Sequence, residues 1–234
     1  MLTNQTIKNF ADYCDKKLSI EGKTDPNLSF YKSLPICILD AVYSIGVKYS
    51  STARVTERYI EYYNLDISRS VAGAKEHTIE DFLKNISDAG GAKEFAEKVV
   101  HNRQRTSSRN GILKAEACEL VAEVCKKHGI DTLADFNNYD NKDALDKDIR
   151  SIKGQHSGIS LKYLKMLCGN NNLIKPDRMV KRFVAGFSST ITSDEDLQEL
   201  VSRAATDVLK LRYPNMTPRL LDYLIWEYQK NIKI

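Results

Sequence analysis

Residues Ile152 to Phe183 read IKGQHSGISLKYLKMLCGNNNLIKPDRMVKRF and give the strongest indication of how the chain folds. Apolar residues recur at helical spacing on both sides of KGQHSG, which predicts two helices joined by a tight hairpin. Gly154 and Gly158 permit a positive φ and a close backbone approach, so amide groups at the start of the second helix can face a phosphate. The pair Pro176 and Asp177 then opens a further basic helix.

The same helical spacing of apolar residues runs through most of the chain, and no alternating pattern typical of strands competes with it. Ser193 and Thr217 stand where helix N-caps are expected, and Gly129 follows a basic helix end. We therefore predict an all-α protein of about ten to twelve helices.

The composition is that of a soluble globular protein, with 42% hydrophobic and 28% charged residues in a chain of 234. No run approaches the roughly eighteen apolar residues that span a bilayer, and the N-terminus lacks an apolar signal core. We expect a cytoplasmic protein, at the nucleoid if it is bacterial, without a membrane partner. The five cysteines have no CxxC or close Cys/His spacing, so neither a disulfide framework nor a zinc or iron–sulfur site is expected.

Positive charge is clustered in two places, although the net charge is only +4. The segment from His101 to Lys114 contains four lysines and arginines and no acid, and the segment from Lys175 to Arg182 contains four around the single Asp177. Such patches at loops and helix starts suit a polyanion better than a membrane. Either patch alone is also consistent with ordinary solvated charge.

A Gly-x-x-x-Gly joint between two helices is, by itself, usually only a turn. Here Lys153, His156, Lys162 and Lys165 surround it, and the two basic segments flank it in sequence. These neighbours favour a surface that binds the phosphates of a nucleic acid.

At these residues the chain resembles the helix-hairpin-helix DNA glycosylase superfamily (HhH-GPD), which includes endonuclease III. The family hairpin reads roughly Leu-Pro-Gly-Val-Gly-x-Lys, and residues 152–158 occupy its seven places. The family's catalytic aspartate opens a helix and has an arginine five residues later, as Asp177 and Arg182 do here. The order of helices is similar over most of residues 30–230.

The resemblance implies a two-lobed helical fold that acts as a monomer. Residues 30–171 would form a central lobe, with the helix-hairpin-helix motif at about 144–168, and residues 1–29 plus 172–234 would form a second lobe. Its expected partner is double-stranded DNA with a damaged or modified base, and its expected role is base-excision DNA repair. In the family a monovalent cation is held by hairpin carbonyls, which here would be those of Arg150, Ile152 and Gln155.

The residues expected to contact DNA lie in the hairpin and its second helix, in the arginine-rich loop (residues 102–109), and on the helix after Asp177. They are Lys153, Gly154, Gln155, His156, Ser157, Gly158 and Lys162, then Asn102, Arg103, Gln104, Arg105 and Arg109, and finally Arg182.

Two departures from the family bear on the reaction. Members that cleave the DNA strand carry a lysine at the last hairpin place, where this chain has Gly158, so strand cleavage is not expected. The four-cysteine loop that holds the iron–sulfur cluster of endonuclease III is also missing. The resemblance therefore implies a monofunctional glycosylase, a hydrolase without lyase activity.

Asp177 is the candidate catalytic residue. A carboxylate near the sugar could stabilise an oxocarbenium-like transition state and activate a water. Aspartate is also a favoured helix N-cap, which would explain Asp177 without catalysis. Two alternatives stay open: a catalytically inactive DNA-binding protein on the same scaffold, and a helical protein-interaction domain whose basic patches meet an acidic partner.

Overall fold

The computed structural model describes residues 2–24, 31–66 and 76–232. The helices of these ranges are, in chain order, α1 (Asn4–Lys17), α2 (Leu34–Tyr43), α3 (Tyr49–Tyr62), α4 (Ile79–Asp88), α5 (Ala92–Lys98), α6 (Lys114–Lys127), α7 (Leu133–Asn138), α8 (Lys142–Ser151), α9 (Ile159–Leu167), α10 (Arg178–Ala185), α11 (Asp194–Arg203), a π-helical segment (Ala204–Leu209), α12 (Lys210–Arg212) and α13 (Pro218–Asn231). The described residues contain no β-strand, and their one isolated bridge pairs Arg105 with Leu113. The predicted all-α class is confirmed.

The chain divides into two compact units, each with its own hydrophobic core. Unit 2 is the continuous segment Ser29–Cys168 and contains α2 to α9. Unit 1 combines Met1–Leu28 with Gly169–Ile234 and contains α1 and α10 to α13. The hairpin and the arginine-rich loop therefore belong to unit 2, and Asp177 belongs to unit 1.

Unit 2 is built around α2, in which every residue from Leu34 to Tyr43 is buried. Apart from Asp40, its sequence LPICILDAVY is apolar on all sides, as expected for a central helix. The amphipathic helices α3, α6 and α9 pack against it. The helix-hairpin-helix segment is thus attached to the core of unit 2 through α9.

Unit 1 has an aromatic core in which α1 and α10 meet. The rings of Phe10 and Phe183 pack edge to face with centroids 6.2 Å apart, and α10 also packs along α13. Ser193 and Thr217 act as helix N-caps, as predicted from the sequence. The Ser193 Oγ accepts from the Asp196 amide at 3.0 Å, and the Thr217 Oγ1 accepts from the Leu220 amide at 3.1 Å.

A glycine at the end of α6, the five cysteines and the length of the helices are further local features of the fold. Gly129 follows α6 with a φ of +70°, which confirms it as a helix-terminating glycine. All five cysteines are buried and have free thiols. None of the described helices combines the length and the apolar character that would let it cross a membrane.

Candidate nucleic-acid interface

The hairpin, residues 152–158, joins the end of α8 to the start of α9. Two hydrogen bonds shape it: the Gln155 amide donates to the Ile152 carbonyl and the Gly158 amide donates to the Gln155 carbonyl, both at 2.9 Å. Gly154 and Gly158 have φ values of +90° and +73°, a region that L residues with a side chain rarely occupy. The two glycines therefore permit the turn, as their sequence positions predicted.

The start of α9 has no capping side chain, and its N-cap Gly158 is buried beside the Arg150 side chain. The Ile159 amide has only a long contact of 3.5 Å to the Ser157 hydroxyl. Lys153, His156 and Ser157 are exposed around this helix start. A helix N-terminus with free amides and neighbouring cations is a common phosphate site in proteins.

Gln155 does not have the exposed position expected of a DNA ligand. It is only 2% exposed, and its Oε1 accepts a short hydrogen bond from the Ser160 hydroxyl on α9. Its backbone amide is already bonded to the Ile152 carbonyl. Gln155 therefore supports the hairpin from inside, and its neighbours Lys153 and His156 form the exposed surface.

The arginine-rich loop packs directly against the hairpin. A Cβ placed on Gly154 would lie 2.3 Å from the Thr106 Cβ and 2.4 Å from its Oγ1, so only a glycine fits there. The loop is fixed at its base, because the Thr106 amide donates to the Ile112 carbonyl and the Lys114 amide donates to the Gln104 carbonyl. The hairpin and the arginine-rich loop are thus in direct contact.

The side chains of the loop divide into anchors and exposed cations. The Asn102 Oδ1 accepts from the Gln104 amide at 2.9 Å, and the Gln104 side chain donates to the Ser51 hydroxyl at 3.3 Å. Asn102 and Gln104 therefore hold the loop in shape, and each is only partly exposed.

The three arginines of the loop are exposed. The Arg105 guanidinium donates to the Gly111 carbonyl at 2.8 Å, and Arg103 lies 3.4 Å from a carboxylate oxygen of Glu97 on α5. The fold thus brings an acid to a segment that has none in its sequence. Arg105 and Arg109 remain the main sources of positive charge on the loop.

Lys114 does not belong to this charged surface, although it lies in the basic segment from His101 to Lys114. It is 2% exposed, and its Nζ donates to the Tyr43 carbonyl at 3.0 Å and the Ile45 carbonyl at 2.7 Å. The lysine therefore satisfies carbonyl groups at the C-terminal end of the buried helix α2.

An open groove of about 530 Å³ lies beside the hairpin along α8. It is lined by Asp143, Asp146, Lys147, Arg150, Ser151 and His156. Its two carboxylates make it less suited to a polyanion than the surface that the hairpin forms with the arginine-rich loop.

Two of the carbonyls expected to hold a monovalent cation accept hydrogen bonds within the hairpin. They are those of Ile152 and Gln155, and the Arg150 Nε donates to the His156 carbonyl at 3.2 Å. A fixed guanidinium charge at the hairpin opposes a second cation nearby. Elsewhere in the described part of the chain, no group of three or more His, Cys, Asp or Glu side chains is arranged to hold a metal.

Asp177 is the N-cap of α10 in unit 1. Its Oδ1 accepts from the Met179 amide at 2.7 Å and from the Val180 amide at 3.3 Å. These bonds cap the first turn of α10 and fix the direction of the carboxylate. Arg182 is exposed one turn further along the same helix.

A second carboxyl group lies near Asp177 and was not predicted as a site residue. Asp222 on α13 is buried, and its Oδ1 accepts from the Lys175 amide at 3.0 Å. Burial, followed by the negative charge of Asp177, raises the pKa of Asp222 to about 8. The signal that could have revealed it is a lone aspartate inside the apolar run LLDYLIW.

One family matches the chain, over residues 8–230, and it is described as "Domain of unknown function (DUF8548)". No curated protein and no solved structure matches the chain significantly.

Proposed function

We propose that this chain, which belongs to the DUF8548 family, binds the phosphate backbone of double-stranded DNA through unit 2. The binding surface consists of the hairpin, the first turn of α9 and the arginine-rich loop. This proposal includes the finer fold assignment, that of a helix-hairpin-helix DNA glycosylase (HhH-GPD), which the sequence resemblance favours.

The observation that carries the proposal is the contact between Gly154 and Thr106. It joins the hairpin that precedes α9 to the loop that carries the exposed arginines, which favours a common surface of backbone amides and guanidinium groups. Phosphate contacts of both kinds position a protein on DNA without reading its sequence. Lys153 and Lys162 add charge beside the same helix start.

Fluorescence anisotropy with a labelled duplex, measured over a range of salt concentrations, tests this surface. Removal of one cation that binds a phosphate should reduce the slope of log K against log[salt] by about 0.9. We expect Lys153→Ala and Arg105→Ala each to weaken binding and reduce the slope, and Lys93→Ala, an exposed lysine of α5 outside the surface, to leave both unchanged. Equal effects of the three substitutions would contradict the proposed surface.

Asp177 supports a second, finer proposal, that the protein is a monofunctional DNA glycosylase active in base-excision repair. Both amide bonds of the N-cap end on Oδ1, so the direction of the carboxylate is fixed and neither amide occupies Oδ2. A charged carboxylate at the sugar would stabilise the positive charge that develops as the N-glycosidic bond breaks, and would activate the attacking water. The flipped base would leave without cleavage of the strand, because Gly158 provides no amine.

Duplexes that contain uracil, an alkylated base or an oxidised base test this reaction. After incubation and treatment with hot alkali, strand breaks should appear with wild-type protein and be greatly reduced with Asp177→Asn, which keeps an oxygen for the N-cap. Full activity of Asp177→Asn would refute the mechanism. DNA binding without base loss on any lesion would favour the inactive DNA-binding scaffold, and absence of any binding at low salt would favour the protein-interaction domain.

A further inference from the structure

The segment before α10 is hydrogen-bonded to the buried carboxyl group of Asp222 on α13. The Lys175 amide donates to the Asp222 Oδ1 at 3.0 Å, and the Asp177 amide donates to the Lys175 carbonyl at 2.6 Å. Between them, Pro176 is buried and has a restricted φ. The backbone that presents Asp177 is therefore tied to α13 through two consecutive hydrogen bonds.

A second contact between the segment before α10 and α13 involves Arg219, which lies one turn before Asp222 on α13. Arg219 is 4% exposed; its amide donates to the Asn171 carbonyl at 3.2 Å and its Nη1 lies 3.4 Å from the Asn171 Oδ1. Further along, the rings of Phe183 on α10 and Tyr228 on α13 pack edge to face with centroids 5.6 Å apart. The loop and the helix that follow Gly169 thus rest on α13 along its length.

A buried carboxyl group is an unusual support, since burial strongly disfavours its charged form. The groups that act on its charge are Asp177, which opposes ionisation, and Lys175 and Arg219, which favour it. With a pKa of about 8, Asp222 is mostly protonated at neutral pH. A protonated Asp222 places no negative charge beside Asp177.

We propose that Asp222 is a positioning residue, whose neutral carboxyl group holds the turn Lys175–Asp177 and so fixes the carboxylate of Asp177 at the start of α10. This inference rests on the glycosylase proposed above, and it deepens the account of that site. Asp222 acts through the backbone of Lys175 and does not itself contact DNA.

Base excision measured against pH tests the inference. Wild-type activity should fall as the pH rises through about 8, because ionised Asp222 places a second negative charge near Asp177. In Asp222→Asn the amide oxygen still accepts from Lys175 and cannot ionise, so activity at neutral pH should persist and this alkaline fall should disappear. Asp222→Leu removes the acceptor and should lower activity by about 10²-fold, the scale of a small misplacement in an active site.

Wild-type activity in both variants, with an unchanged pH profile, would overturn the inference while leaving the proposed function intact. Circular dichroism shows whether each variant is folded. If Asp222→Leu does not fold, the pH profiles of wild type and Asp222→Asn are sufficient to test the inference.

A second measurement does not depend on any enzymatic activity. The carboxyl carbon of Asp222 can be titrated by NMR in wild type and in Asp177→Asn. We expect the wild-type pKa to lie well above the ordinary aspartate range and to decrease in Asp177→Asn, because the neighbouring charge is removed. An ordinary pKa, or one that Asp177→Asn does not change, would overturn the inference. Coupled titration in a protein without glycosylase activity would support the positioning of Asp177 and refute only the proposed reaction.

Discussion

Gly154→Ala is the most informative substitution in unit 2, because it tests whether the hairpin and the arginine-rich loop form one surface. The new Cβ would overlap the Thr106 Cβ at 2.3 Å and its Oγ1 at 2.4 Å. Thr106 is β-branched and its Cβ cannot rotate away, so the loop must separate from the hairpin or the hairpin must distort.

The expected cost is the sum of two effects. A residue with a side chain at φ +90° costs about 1 kcal/mol relative to glycine. Overpacking against Thr106 adds about 1–3 kcal/mol. We therefore expect the free energy of unfolding to fall by about 2–4 kcal/mol. We also expect DNA affinity to decrease, because the hairpin and the arginine-rich loop no longer align.

Urea denaturation followed by circular dichroism measures this loss, and Gly129→Ala is the matched control. Gly129 has a φ of +70° in the same unit, and a Cβ there would meet nothing within 4 Å, so only the backbone cost of about 1 kcal/mol should appear. Thr106→Gly removes the overlapping atoms, and the double mutant should recover about 1–3 kcal/mol relative to additivity. Equal costs for the two glycine substitutions, or no recovery with Thr106→Gly, would refute the proposed packing.

Three further substitutions test other contacts by urea denaturation. Lys114→Met removes the donor to two carbonyls at the end of α2 and should lower the unfolding free energy by about 1–3 kcal/mol; an unchanged midpoint would mean that water satisfies those carbonyls. Thr132→Ala breaks the capping box of α7 and should cost about 1 kcal/mol. The same change should raise the pKa of Asp135, which hydrogen bonds from Thr132 hold below its ordinary value, and an NMR titration that finds no rise would contradict this. Asp177→Ala removes the N-cap of α10 and should cost about 1 kcal/mol more than Asp177→Asn, and equal losses would show that the cap contributes little.

Much of the local structure could be predicted from short stretches of sequence. Ser193 and Thr217 were predicted as N-caps because a hydroxyl before an apolar-periodic segment satisfies amides within the next three residues. Gly154 and Gly158 were predicted as turn positions because a positive φ favours glycine wherever the turn lies in the fold. Signals of this kind depend on neighbours in the chain, and tertiary packing did not override them.

The sequence alone does not show the partners of residues whose position depends on contacts between distant parts of the chain. Lys114 carries the same charge as the arginines before it, but α6 directs its Nζ to carbonyls 69 and 71 residues earlier. Arg103 lies in a segment whose sequence has no acid, and in the fold Glu97 approaches it from α5. A count of charges along the sequence describes neither burial nor the partners that folding provides.

Asp177 can be explained as a helix N-cap or as a catalytic carboxylate. Asp222 distinguishes these two explanations better than the hydrogen bonds of Asp177 do. A helix N-cap needs only the bonds from the Met179 and Val180 amides, and it gains nothing from a second carboxyl group buried nearby. That group must stay protonated or be ionised in an apolar interior, and either state is unfavourable compared with an apolar side chain of similar size. In the folded chain Asp222 retains a proton that the unfolded chain releases above about pH 4, so its presence lowers stability as the pH rises from there to about 8. Capping alone does not explain why a destabilising residue holds the backbone next to Asp177. A reaction that depends on the direction of the Asp177 carboxylate would explain it.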